Sequence, residues 1–469
     1  MNSITRKFFF SKKLMRRAGE HGDMPSESTL LRNALRVAWP STLESFLVAI
    51  VGVVDTIMVS SLGDYAIAAI GLTAQPKFIG LAVFLSLNVA VSAIVARRKG
   101  QNDREGANRV LTQALLLTVG FAVIVTAVCV LYADTIMHLA GTNADTHETA
   151  VMYFRIIMGC MAFSVISMVI NAAQRGVGNT KIAMRTNLVS NLVNICLNYL
   201  LISGKFGFPR LEVRGAAIAT VLGTVCAMVM SLRTVLAPGG FLHLHFERQY
   251  LKFDKQTLRS VWSVGGTTLL EQLFMRFGFL SFAMIVAKLG TVAFAAHQIG
   301  MNILSLSFSF ADGLSVAAVA LVGQSLGQKR VDLARIYGSI CQRIGLLCSL
   351  ILAFIDIVFG EFMFGAFTDS PVILRYGVII MNLIAFIVFT QIAQVIYSGC
   401  LRGAGDTKFV ALVSLVSVAC IRPLAAYLLC YPLGFGVIGA WLGMALDQAV
   451  RLGLTSLRFK SGKWMNIQL

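Results

Sequence analysis

The segment from Leu35 to Leu62 is apolar over a length that would span a lipid bilayer, yet it carries two carboxylates, Glu44 and Asp55. About 20 apolar residues are enough for a transmembrane helix, and a charge at its centre costs roughly 2.5 to 3.5 kcal/mol. The two acids are 11 residues apart, which puts them on nearly the same helix face, about 16 Å apart along the axis. We therefore expect this face to point away from lipid, either for a function or for structural hydrogen bonds to neighbouring helices.

The rest of the chain is also apolar. Of its 469 residues, 57% are hydrophobic and only 13% are charged, and the mean hydropathy is +0.77. A water-soluble core does not use so much apolar surface, so the composition indicates a polytopic, all-α membrane protein. Apolar windows of 18 residues or more predict 12 transmembrane helices, at 34–59, 66–95, 110–133, 149–173, 184–203, 214–236, 258–287, 293–322, 338–365, 373–399, 409–430 and 434–455.

The basic residues that produce the net charge of +18 are concentrated at the two ends of the chain and in alternate loops. The connections 61–65 and 133–148 contain no Lys or Arg, whereas the segments 6–36 and 97–109 are rich in them; the basic residues of 205–214 depart from this pattern. Such a distribution predicts an inner-membrane protein with both termini in the cytoplasm. It favours contact of the tail with anionic lipids over a nucleic-acid partner.

The sequence lacks motifs of enzymes and ATP-driven pumps. It contains no GxxxxGK[ST] phosphate loop, no HExxH zinc motif and no convincing nucleophile–base pattern. The nine cysteines, from Cys129 to Cys430, lie singly in or near spans, so we interpret them as buried apolar residues without disulfides or metals. Residues 1–30 lack the apolar region of a signal peptide. We expect no cofactor, and an ion gradient as the energy source, since one charge crossing 100 mV gains about 2.3 kcal/mol.

The chain repeats itself at a fixed offset of 227 residues, which predicts two parallel six-helix repeats. Glu44 matches Glu271, and the turn motif Arg-Gly-x-Gly-(Asn/Asp)-Thr-Lys occurs at both 175–181 and 402–408. We interpret this motif as a tight cytoplasmic turn and a topology anchor. Two such repeats predict a central cavity and alternating access. The predicted organisation is a tail, a first lobe, a linker, a second lobe and a second tail, at 1–33, 34–236, 237–257, 258–456 and 457–469.

Several dispersed motifs resemble those of the multidrug and toxic compound extrusion (MATE) transporters. They are Val54-Asp-Thr-Ile-Met-Val-Ser-Ser-Leu-Gly-Asp, Ala68-Ala-Ile-Gly-Leu, Ala295-Ala-His-Gln-Ile, Leu321-Val-Gly-Gln-Ser-Leu-Gly and Leu401-Arg-Gly-Ala-Gly-Asp-Thr. The resemblance extends from about Leu31 to Trp464. It implies a V-shaped pair of six-helix lobes and an antiporter that exports organic, often cationic, drugs in exchange for H⁺ or Na⁺.

The resemblance also implies where the coupling ion binds in the first lobe. Asp55 falls on the family's first-span aspartate, which takes up a proton or Na⁺. Asn194 and Asn198 fall on the polar pair of the fifth span, and Thr220 is a further oxygen ligand. Since Asn198 stands where one branch of the family has an aspartate, Asp55 is the only carboxylate expected in this cluster.

In the second lobe, Glu271 falls on a glutamate that other members use for coupling. The aspartate that accompanies it in that branch is replaced here by Gln391. A second cation site would therefore need another acid, for which Asp312 is the candidate. As an alternative to coupling, Glu271 pairs with Arg276 in a structural contact.

The substrate side of the cavity is predicted less specifically. Met275, Met284 and Phe308 are apolar, adaptable candidates for its lining, with Glu44 and Gln391 as polar ones. The expected partners are small organic cations and membrane lipids, and the chain is expected to act as a monomer. The alternative function is a flippase for lipid-linked intermediates, for which Arg155, Arg276 and Arg422 are the candidate cavity charges.

Overall fold

A computed structural model of the chain describes residues 8–10, 22–245, 247, 250, 252–368 and 370–467. None of these described residues is in a β-strand, and nearly all belong to helices. Much of the predicted basic tail lies outside the described residues, including Arg6, Lys7, Lys12, Lys13, Arg16 and Arg17.

In the part of the first half that the structure describes, eight α-helices have defined bounds. They are α1 (Glu27–Ser60), α2 (Asp64–Gly100), α3 (Arg104–Leu131), α4 (Ala133–Leu139), α5 (Ala144–Gly159), α6 (Met161–Gly176), α7 (Thr180–Leu201) and α8 (Glu212–Leu236). Helices α5 and α6 are bent by 47° at the break between them, and together they are long and apolar enough to form one span.

Seven α-helices have defined bounds among the described residues of the second half. They are α9 (Lys255–Ala287), α10 (Thr291–Gly327), α11 (Val331–Gly365), α12 (Pro371–Gly403), α13 (Thr407–Ser414), α14 (Arg422–Cys430) and α15 (Gly436–Ser461). A π-helical segment, Leu415–Ile421, joins α13 to α14 directly before Pro423. Because proline has no backbone N–H to donate, a departure from α-helical hydrogen bonding is expected at this position.

The all-α polytopic fold is confirmed. Among the described residues, nine single helices and the continuous segment Thr407–Cys430, which comprises α13, the π-helical segment and α14, are long and apolar enough to cross a membrane, and the bent pair of α5 and α6 makes an eleventh span. The remaining predicted span is α7, whose 22 residues are long enough but less apolar. Its polarity comes from residues that include Asn191, Asn194 and Asn198. A helix of this kind is stable in a bilayer when its polar face is buried against other helices.

The helices form two compact units, one of residues 46–265 and the other of residues 1–45 and 266–469. The boundary between the units therefore falls inside α1 and inside α9 rather than in a loop. The two predicted lobes, at 34–236 and 258–456, are the parts of the chain that we expect to move as units during transport. This division stays a prediction.

Backbone geometry repeats between the two halves with the offset found in the sequence. Gly178 and Gly405 occupy the same place in the two copies of the turn motif, with φ of 84° and 87°. Such angles are strained for residues with a Cβ atom, which explains the glycine at both positions. Helices α2 and α10 occupy corresponding places in the two halves of the chain, and each has 37 residues.

The other glycine of the turn motif has a different role. A Cβ atom on Gly176 would lie 2.6 Å from the carbonyl oxygen of Ser92, and one on Gly403 would lie 2.5 Å from that of Val319. Each glycine thus lets the end of one helix approach the backbone of another, α6 on α2 and α12 on α10. The motif combines a turn glycine with a packing glycine.

Candidate functional site

Asp55 of α1 is held among polar side chains of α7 and α8. The Asn198 amide nitrogen donates a hydrogen bond of 2.9 Å to Asp55 Oδ1. One end of the Asn194 amide lies 2.8 Å from Asp55 Oδ1 and 3.2 Å from Oδ2, and its other end lies 3.2 Å from Thr220 Oγ1. Asn194 and Asn198 are four residues apart and so share one face of α7. The structure therefore brings together the four residues that the sequence assigned to a first-lobe cluster.

The Asn194 amide is satisfied in one orientation. With its nitrogen toward Asp55, it donates to the carboxylate oxygens at 2.8 Å and 3.2 Å, and its oxygen accepts from the Thr220 hydroxyl at 3.2 Å. The opposite orientation would place two oxygens 2.8 Å apart, and these repel each other unless a proton or a cation lies between them.

Both Asn194 and Asn198 thus donate an amide N–H to Asp55, which suits an ionised carboxylate. Oxygens of a carboxylate, an amide and a hydroxyl are the ligand types that hard cations prefer.

A cavity of about 180 Å³ opens beside this cluster. Its lining combines the polar site with apolar side chains of α1, α2, α5 and α8, namely Asp55, Thr56, Val59, Ile67, Ile70, Gly71, Tyr153, Asn198, Ala216 and Thr220. Sites for drug-sized ligands usually measure about 300–1,000 Å³. At about 30 Å³ per water molecule, this cavity suits a small cation with a few waters better than a whole drug molecule.

Two residues near Asp55 were missed from the sequence. Tyr153 is 8% exposed and lines the cavity. Lys77 of α2 contributes an attractive charge to Asp55. Lys77 lies within the predicted span 66–95, so the rule that intramembrane charges mark functional sites would have found it. Tyr153 had no comparable signal, because an aromatic residue in a span is usually packing.

The predicted second-lobe acid, Glu271 of α9, is in an ion pair. Its side chain is completely buried, and Arg402 of the second turn motif approaches its Oε1 to 2.5 Å. The partner is thus Arg402 rather than Arg276, the partner considered from the sequence. A second buried pair, between Arg422 and Asp447, lies in the same unit, with an N–O distance of 2.5 Å. Binding of a cation at Glu271 would require its ion pair with Arg402 to open.

The other predicted site residues differ in exposure. Glu44 and Gln391 are buried, Met275 is half-buried, and Asp312 is exposed. The predicted cavity-lining residues Met284 and Phe308 are 52% and 38% exposed. An exposed apolar side chain on a membrane helix can face either lipid or a cavity. The assignment of Met284 and Phe308 to the cavity lining therefore stays a prediction.

Comparison with known proteins identifies the fold and the family. The MatE family model matches residues 40–200 and again residues 268–428, which reproduces the internal repeat. A probable multidrug resistance protein NorM from Thermotoga maritima is 29% identical over 94% of this chain and 95% of its own. The multidrug resistance protein MdtK of Yersinia enterocolitica is 28% identical over 93% of this chain and 96% of its own.

Comparison with solved structures leads to the same fold. An outward-facing multidrug resistance MATE family transporter of the MOP superfamily superposes with a TM-score of 0.85 at 22% identity, covering 94% of this chain and 99% of that one. A MATE structure in complex with MaL6 gives a TM-score of 0.86 at 21% identity, covering 96% and 99%. The two copies of the family model, the full-length relatives and the shared fold lead to one conclusion: the chain belongs to the MATE family of transporters.

Proposed function

We propose that the protein is a secondary antiporter that exports small organic, often cationic, compounds in exchange for Na⁺ or H⁺ bound at Asp55. The observation that carries this proposal is the cluster of Asp55, Asn194, Asn198 and Thr220 beside a small cavity. An acid within an apolar span is costly unless something compensates its charge. The hydrogen bonds described for Asp55 come from neutral amides, and Lys77 acts on it through its charge. We therefore propose that a proton or a cation bound at Asp55 completes the compensation.

The two orientations of the Asn194 amide suggest how occupancy is sensed. With a proton or Na⁺ at Asp55, the favoured orientation has the amide oxygen facing Asp55. When the site is empty and ionised, the favoured orientation has the amide nitrogen facing it. The orientation of the amide also determines whether the Thr220 hydroxyl of α8 accepts a hydrogen bond from Asn194 or donates one to it. Coupling then needs only that the inward-facing and outward-facing states differ in their affinity for the cation.

The relatives support the substrate class, because NorM and MdtK are both named multidrug resistance proteins. Since the cavity at Asp55 is small, we place the substrate elsewhere, against adaptable side chains such as Met275, Met284 and Phe308. We further propose that the protein lies in the inner membrane as a monomer with both termini cytoplasmic.

The test is substrate transport in proteoliposomes under a Na⁺ gradient alone and under a pH gradient alone. Ethidium is a suitable probe. We expect one of the two gradients to drive transport in the wild type, and Asp55→Asn to lose this stimulation by about 5- to 150-fold, the usual range of coupling free energies. Glu361→Gln is the matched control, since it removes an exposed carboxylate from the far end of α11.

If Asp55→Asn responds to the gradient as the wild type does, the proposal is wrong. The melting temperature of each variant shows whether a loss of transport reflects misfolding. If the wild type moves no organic cation but translocates a fluorescent lipid-linked precursor, the flippase alternative is favoured instead.

A further inference from the structure

The connection between α3 and α5 contains a cluster of one acid and two histidines, and we propose that it binds a divalent transition-metal ion such as Zn²⁺. The cluster consists of Asp134, His138 and His147, whose ligand atoms all lie within 4.8 Å of one another. Asp134 and His138 lie on α4, which is not a candidate membrane span, and His147 lies in the first turn of α5, at the start of the span that α5 and α6 form together. The cluster is separate in sequence and lining from the Asp55 cavity.

Two short-range features hold these three side chains together. Asp134 and His138 are four residues apart on α4, so they project from the same face of that helix. His147 comes from the first turns of α5, whose start is fixed by a capping box between Asn143 and Thr146. The rings of His138 and His147 have centroids 4.2 Å apart, and His147 Nε2 lies 2.9 Å from Asp134 Oδ1.

Contacts on both sides of its ring fix the position of His147. Its Nδ1 lies 2.7 Å from the Thr142 hydroxyl oxygen, and its Nε2 lies 2.9 Å from Asp134 Oδ1. A metal ion bound at Nε2 would leave the proton of the imidazole on Nδ1, from which it would be donated to Thr142. The Thr142 hydroxyl can accept this hydrogen bond while it donates to the carbonyl oxygen of Met137 at 2.9 Å.

The types of ligand atom in the cluster suit a transition-metal ion. Two imidazole nitrogens and one carboxylate oxygen, with water as the fourth ligand, form a common tetrahedral Zn²⁺ site. With bonds of about 2.0–2.2 Å, two ligands of one tetrahedral zinc lie about 3.3 Å apart, close to the 2.9 Å between Asp134 and His147. His138 is exposed and has room to adjust. Thr142 fixes the ring of His147 from its far side, as outer ligands commonly do at zinc sites.

The proposed metal site is partly exposed. The side chain of Asp134 is 62% exposed and that of His147 is 19% exposed. Arg155 is a positive charge that also acts on Asp134, and it lowers the affinity for a dication. A bound metal would tie α4 to the start of α5 and raise the melting temperature, because it binds only the folded connection.

The experiment is a titration of the purified full-length protein, without any affinity histidine tag, with Co²⁺, whose visible d–d absorption reports tetrahedral coordination. We expect one equivalent to bind, Zn²⁺ to displace it, and the double variant His138→Gln/His147→Gln to lose the band. The matched control is His243→Gln/His245→Gln, which removes another pair of neighbouring rings, with centroids 4.9 Å apart, and is expected to bind Co²⁺ as the wild type does.

A third variant tests the positioning of His147. Thr142→Val keeps all three ligands but removes the hydroxyl that holds the ring, and it is expected to weaken Co²⁺ binding about 10-fold or more. The melting temperature without metal shows that each variant is folded. If the folded wild type gives no tetrahedral Co²⁺ band, or if the band survives in His138→Gln/His147→Gln, the metal site is overturned. An unchanged affinity in Thr142→Val overturns the role given to Thr142.

Discussion

Two acids that look alike in the sequence have opposite surroundings in the structure. Asp55 receives hydrogen bonds from neutral amides of α7, which orient its charge without cancelling it. Glu271 is completely buried in an ion pair with Arg402, which compensates its charge. Only the first arrangement leaves an electrostatic role for a mobile cation.

Lys77 should set the cation affinity of the Asp55 site. Its positive charge acts on Asp55 and competes with a bound cation. Removing it in Lys77→Met is expected to lower the cation concentration for half-maximal transport on the order of tenfold, as expected for the loss of one charge that interacts with a partly buried site. Transport assays over a range of Na⁺ and pH measure this. Lys288→Met, which removes an exposed lysine, is the control, and an equal effect in both variants would contradict the prediction.

Glu271 should contribute to stability through its ion pair. Glu271→Gln leaves Arg402 mostly buried without its partner, and breaking a buried pair typically costs about 3–5 kcal/mol. We expect a lower melting temperature for Glu271→Gln and recovery in Glu271→Leu/Arg402→Met, since replacing both charges is often neutral. An unchanged melting temperature together with loss of gradient-driven transport would instead assign Glu271 to coupling.

At the scale of elements, the helices were largely predictable and their contacts were not. Apolar windows are a local signal, so they located the spans to within several residues; α7 was found as 184–203 and extends over Thr180–Leu201. The cluster at Asp55 was found through resemblance to a family. The contact of Glu271 with Arg402 joins residues 131 apart in the chain, and no pattern of local spacing predicts such a partner.

The glycines of the turn motif show the same limit. The sequence explained the motif by a tight turn, which fits the positive φ of Gly405. At Gly403 the reason for glycine is instead a helix contact that excludes a Cβ atom. Gly403→Ala is expected to cost about 1–3 kcal/mol through overpacking against Val319. In α15, Gly453 has open space around it, so Gly453→Ala should leave the melting temperature unchanged or raise it. Thermal unfolding in detergent compares the two, and equal shifts would contradict this account of the motif.

At the scale of the whole molecule, the duplicated fold carries a cluster that is not duplicated. The repeat pairs Glu44 with Glu271 and the two turn motifs with each other, but at the same offset Asp55 corresponds to Phe282, which is 2% exposed and belongs to a hydrophobic core. A common ancestor of the two halves explains the shared backbone, and the later divergence explains the single acid among amides. We therefore expect one coupling site per chain, at Asp55.

The most direct test of this claim is to let a substrate gradient drive the cation. Proteoliposomes are loaded with ethidium in the absence of any Na⁺ or pH gradient, and the movement of ²²Na⁺ and of protons is followed as ethidium leaves. The account predicts that wild-type protein moves one of these cations in the opposite direction and that Asp55→Asn moves neither. Countermovement that persists in Asp55→Asn, or ethidium efflux from the wild type without any countermovement, would contradict it.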